Sequence, residues 1–68
     1  MEVRLNSKLL HSVNYDPKSK QLTVFLNNGR RGEFVDVPEY VLDDLQATMS
    51  PGSYYVKLIK RQYQRAGM

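Results

Sequence analysis

Sixty-eight residues carrying ten Lys and Arg against seven Asp and Glu fit one small basic domain, since two would each fall below the ~40 residues at which chains seldom fold unaided. A hydrophobic share of 41% against 25% charged excludes a disordered chain, and no apolar run is long enough to span a bilayer or form a secretion signal. The lack of cysteine excludes disulfides, thiol nucleophiles and thiolate metal sites, and a cytoplasmic location is the default expectation.

In chain order, residues 3–15 place Val3, Leu5, Leu9, Val13 and Tyr15 on odd positions, broken by the polar Asn6-Ser7-Lys8. One strand is predicted there, from about Leu9 to Tyr15. Asp16-Pro17-Lys18-Ser19-Lys20 has turn chemistry, with Pro17 presetting φ and Asp16 able to accept backbone hydrogen bonds. Gln21 to Asn27 alternates as a second strand, with Leu22, Val24 and Leu26 on one face and Phe25 exposed on the other. Asn27-Asn28-Gly29 tolerates positive φ and is a hairpin signal, so Arg30 to Val37 is expected to return as a third antiparallel strand.

At Val37-Pro38-Glu39 the period changes to that of a helix, predicted from Pro38 to Thr48, with Val41, Leu42, Leu45 and Met49 as its buried stripe. Ser50-Pro51-Gly52-Ser53 is expected to end it, and Ser50 or Ser53 to cap a second helix from Tyr54 to Arg65. Tyr55, Leu58, Ile59 and Tyr63 are its predicted buried positions. The predicted fold is one α+β domain over residues 1–68, with a core from about 5 to 65. It consists of an antiparallel three-stranded β-meander followed by two C-terminal helices.

The inventory of reactive groups argues against an enzyme. His11 is the sole histidine and falls in a strand, where satisfaction by a neighbour or by water is the simpler role. Asp43 and Asp44 are adjacent on a helix and point about 100° apart, unlike the i, i+3 or i, i+4 pairs that converge. Gly29-Arg30-Arg31-Gly32 lacks phosphate-loop spacing and a following helix. Nothing points to a cofactor, a metal or a small-molecule substrate.

Charge is segregated along the chain. Residues 1–31 hold six basic and two acidic groups, residues 33–44 five acidic and no basic, and residues 57–65 four basic and no acidic. Such blocks can build a positive face for a polyanion, or two complementary patches that pair with a protein partner or a second copy. On the first reading Arg30, Arg31, Lys57, Lys60, Arg61 and Arg65 bind the phosphates of RNA or single-stranded nucleic acid, with Phe25 as a stacking ring. On the second, the helix cations are solvated and complement the helix dipole, and the acidic 33–44 run or an open strand edge meets a partner.

The ordered set Tyr15-Asp16-Pro17, Leu22-Thr23-Val24, Asn28-Gly29, Val37-Pro38, Leu45 and Ala47, Ser50-x-Gly52-x-Tyr54-Tyr55, Ile59 and Tyr63 resembles the KTSC-domain family. These are short bacterial and phage domains named after an extension at the C-terminus of some lysyl-tRNA synthetases. The resemblance covers roughly residues 5–63 and implies RNA binding, proposed for the family from that attachment. The family's central Tyr-x-Tyr motif falls on Gly32-Glu33-Phe34, so its first aromatic is missing and its second lacks the hydroxyl. Gly52 carries over as a residue of structural role, expected to serve as a permissive backbone position before the second helix.

Overall fold

Four antiparallel strands, one more than the sequence pattern indicates, form the sheet of the computed structural model, which describes residues 1–63. They are β1 (Glu2–Arg4), β2 (Leu10–Asp16), β3 (Gln21–Leu26) and β4 (Arg31–Phe34), lying side by side in chain order. The extra strand β1 is only three residues long and turns one half-buried side chain, Val3, between exposed Glu2 and Arg4, so it has little hydrophobic period to show. Its ends hold it in place: the Met1 amino group donates to the Tyr15 carbonyl at 2.8 Å, and Leu5 N–H donates to the His11 carbonyl at 3.1 Å.

A β-bulge in β2 breaks the predicted phase at the start of that strand, while Val13 and Tyr15 are buried as expected. Leu10 pairs with Leu26, yet Ser12 pairs with Phe25, so His11 and Ser12 together oppose one residue of β3. The extra residue switches the inward side chains from even to odd numbers along the strand. Leu10, Val13 and Tyr15 are buried, whereas Leu9, expected in the core, is 37% exposed and precedes the strand.

The remaining connections follow from local chemistry. In the β2–β3 turn the Asp16 carboxylate accepts the Lys18 N–H at 3.0 Å, and that backbone bond, with help from Ser19, holds its pKa below the usual carboxylate value. Between β3 and β4, Gly29 N–H donates to the Leu26 carbonyl at 3.1 Å and Gly29 takes φ +88, giving a three-residue hairpin loop with glycine in its left-handed position.

Helix α1 (Glu39–Ala47) starts one residue later than predicted, with Pro38 extended at its N-cap. It also ends earlier, because Thr48 is extended at ψ 145. Met49 is thereby thrown off the buried stripe to 99% exposure, while Val41, Leu42 and Leu45 remain inside. The second helical segment begins at Pro51, not Tyr54, because proline suits a first helical turn. It comprises α2 (Pro51–Tyr54), a π-helical turn (Tyr55–Ile59) and α3 (Lys60–Gln62), so Pro51, Gly52 and Ser53 enter a helix, and Ser50 stands at its N-cap with no side-chain capping bond. No helix among the described residues is long and apolar enough to cross a membrane.

Both helical segments cover one face of the sheet. Val13, Tyr15, Leu22, Val24 and Phe34 from the strands meet Val41, Leu42 and Leu45 from α1 and Tyr55 and Ile59 from the π turn in a single core. Leu58 and Tyr63, expected inside, are half-buried. The chain between β4 and α1 is fixed at Val37, whose N–H donates to the Lys20 carbonyl at 2.9 Å and whose carbonyl accepts the buried Tyr15 hydroxyl at 2.7 Å. Burial, followed by the charges of Glu39 and Asp16, raises the Tyr15 pKa and keeps this hydroxyl a donor. Tyr15→Phe leaves the Val37 carbonyl without that partner. It is expected to cost about 1–3 kcal/mol, measured by urea denaturation, with the four-stranded sheet retained in the amide spectrum.

Candidate nucleic-acid interface

The loop between β1 and β2 shapes the surface next to the second helical segment. Ser7 Oγ accepts the N–H groups of Leu9 and Leu10, each at 3.2 Å, and closes a tight turn. Asn27, at the end of β3, donates from its side-chain amide to the carbonyls of Ser7 at 2.9 Å and Lys8 at 2.8 Å, and from its backbone to that of Leu9 at 2.9 Å. Against this loop sits Gly52, where a Cβ would lie 3.2 Å from Leu9 Cβ and 3.3 Å from Ser7 Oγ. Its φ is not in the left-handed region, so its role is close approach of helix to loop and not the backbone freedom expected from sequence.

An open groove of about 500 Å³ runs between this loop, the β3–β4 hairpin and the π turn. Leu9, Leu26, Tyr55 and Val56 supply its apolar lining, and Asn28, Arg30, Arg31 and Lys60 its polar side. Arg30 and Arg31 are thus brought to the same groove as Lys60, thirty residues away in the chain. The hairpin turn positions the two arginines, and the Arg30 N–H is itself held by Asn28 Oδ1 at 2.9 Å.

Of the other residues predicted for this site, Phe25, Lys57 and Arg61 do not line this groove. Lys57 lines a separate surface hollow with Thr48, Ser50, Ser53, Tyr54 and Leu58. The Lys60 N–H reaches back five residues to the Tyr55 carbonyl, and such a turn carries more residues than the 3.6 of an α-helix. Lys57 and Lys60 therefore lose the shared arc that α-helical spacing predicts. Arg61 is exposed in α3, outside the groove, and Arg65 lies outside the described residues. Phe25, expected to be exposed, is half-buried on the uncovered face of the sheet, in a shallow hollow with His11, Ser12, Leu26 and Arg30. His11 is exposed at the bulge and its Nδ1 lies 3.0 Å from Ser12 Oγ.

Two features had no sequence signal as site elements: Leu9, displaced outward by the bulge, and Asn28, which reaches the groove from the turn. A third is negative. At Gly32 a Cβ would stand 3.0 Å from Phe34 Cε2 and 3.2 Å from the Tyr55 hydroxyl, so these two rings leave little room for a side chain there. They meet edge to face, 6.0 Å between centroids.

A second cluster joins α1 to the helical segment at the opposite side of the core. The Tyr54 hydroxyl donates to Asp44 Oδ2 at 3.0 Å, so Asp44 is not simply solvated. The Tyr54 phenol is pushed up to about 12 by burial and then by that bond, and Tyr63 also to about 12, by burial and by a hydrogen bond with Tyr40. These groups tie two helices together, and Tyr54 also lines the hollow beside Lys57. Among the described residues no group of three or more His, Asp or Glu is placed to hold a metal ion.

A small α+β domain of four meandering strands and two helical segments packed on one face is the class that this fold defines. The chain belongs to the KTSC domain family, whose family model matches residues 6–63. Its fold is also that of the crystal structure of a KTSC domain protein from Yersinia pestis, with a TM-score of 0.87 and 20% sequence identity, over 96% of this chain and 92% of that one. No match was found among curated proteins.

Two outcomes are expected from this geometry. Asn27→Asp replaces a donor with an acceptor facing two carbonyls, and should lower stability by about 1–2 kcal/mol and shift the amide resonances of residues 7–9 together. For the tyrosines, the folded pKa lies above the unfolded value near 10, so their stabilisation is complete below pH 10 and is lost as pH rises toward 12. Urea midpoints measured between pH 9 and pH 12 should fall less steeply in Tyr54→Phe than in the parent chain.

Proposed function

We propose that this KTSC domain is a binding module, not an enzyme, and that it contacts RNA or another single-stranded nucleic acid through phosphates. The observation that carries this reading is the groove lined by Arg30, Arg31 and Lys60 with no Asp or Glu among its lining residues. Three cations around one open groove attract a polyanion, and arginine in particular offers a fork of donors that matches phosphate oxygens.

Phosphate contacts of this kind hold a strand without reading its sequence. The groove cations are therefore the affinity determinants, and Lys57 and Arg61 contribute only to the general positive field. Phe25, half-buried on the other side of Arg30, is a secondary contact at most, reached by a strand that continues past the hairpin.

The test is a 15N-HSQC titration with a mixed-sequence single-stranded RNA and with bulk tRNA, at ~50 mM and ~200 mM salt. Shifts should cluster on residues 26–31 and 55–60, and three phosphate contacts should cost on the order of tenfold in affinity across that salt range. Arg30→Gln with Lys60→Gln should weaken binding and flatten the salt dependence, while Lys57→Gln should leave both nearly unchanged. A spectrum unmoved by either RNA at low salt would overturn the reading. It would favour a protein partner or self-association through the acidic 33–44 run.

A further inference from the structure

Three of the exposed large apolar side chains lie close together beside the basic groove. Leu9 is 37% exposed, Val56 44% and Met49 99%. Leu9 and Val56 line the basic groove and also a second open groove of about 520 Å³, which continues past them to Met49, Pro51 and Gly52. Lys8 stands on that second groove, and neither groove has an Asp or Glu among its lining residues. An apolar strip from Leu26 through Leu9 and Val56 to Met49 is thus flanked by Arg30, Arg31, Lys60 and Lys8.

Phosphate neutralisation alone needs no apolar floor, and a 68-residue chain loses burial by leaving these side chains in water. We infer that the two grooves form one track for an unpaired strand, in which bases lie against the Leu9, Val56 and Met49 side chains while the flanking cations hold the phosphates. This inference rests on the nucleic-acid reading above and specifies its ligand as single-stranded and base-bearing. Bases present apolar faces only when unstacked, and such faces pack on aliphatic as well as aromatic side chains. A duplex keeps its bases stacked inside and offers this strip nothing but backbone.

The track also has a physical reason to be firm. Leu9 is held from behind by the Asn27 and Ser7 hydrogen bonds and by its contact with Gly52, so the strip costs little ordering on binding. Met49 adds an adaptable end, since its unbranched side chain fits bases of different size.

The test compares three probes on the full chain at ~50 mM salt by fluorescence anisotropy: a mixed-sequence single-stranded RNA, an abasic phosphodiester strand of equal length and charge, and an RNA duplex. The base-bearing strand should bind on the order of tenfold more tightly than the abasic one, and more tightly than the duplex. Met49→Ser, at a side chain that touches solvent on nearly every side, should reduce affinity for the base-bearing strand severalfold and leave the abasic strand unchanged. Val56→Ser should act in the same direction. Equal binding of abasic and base-bearing strands, with Met49→Ser silent on both, would overturn the track and leave phosphate binding standing. Absence of binding by all three would overturn both readings.

Discussion

Asn27 is the side chain on which the candidate surface depends. Its amide spans two successive carbonyls of the β1–β2 loop and its backbone N–H takes a third, so one residue at the end of β3 fixes a segment that belongs to neither strand it joins. The consequences spread outward from there. The fixed loop gives Gly52 its close seat, and that seat holds the second helical segment against the loop, where side chains of the π turn share a groove with the β3–β4 hairpin. An asparagine is required for this because it alone combines two side-chain donors on one nitrogen with a reach short enough to stay in the plane of a turn.

The meander and the helices were legible in the sequence because their signals are local. Alternation in residues 21–27, the Asn-Gly turn and the change of period at Pro38 each act over a few neighbours. What was hidden needed a partner. The strand β1 has a single half-buried apolar side chain and exists through bonds to β2 that no window of its own sequence contains. The bulge at His11 and Ser12 was hidden for a related reason: Leu9-Leu10 offers two apolar residues of equal quality, and only the pairing with β3 decides which one enters the core. Met49 was misplaced because helical period was extended past the point where Thr48 leaves the helix.

The same limit governed the site. The hairpin arginines and the helix cations were visible as charge blocks, but their convergence was a question of geometry. The π turn answers it by dividing the helix cations, sending Lys60 to the groove and Lys57 to another surface. A π turn has no residue signature of its own in this stretch. It carries Tyr55 and Ile59 into the core while Tyr54 reaches Asp44 on α1.

Gly32 leaves room in the core for rings from two elements. It pairs with Val24 on the covered face of the sheet, and the space beside it is filled by Phe34 and Tyr55 meeting edge to face. A side chain at this position would press on both rings, the overpacking that close-packed interiors resist. The packing has a consequence at the surface. A ring anchored on the π turn, rather than on β4, lines the groove from the helix side, next to Val56 and Lys60. The ring that packs beside Gly32 is therefore also a wall of the basic groove, so core packing and the shape of that groove are coupled through Tyr55 in this chain.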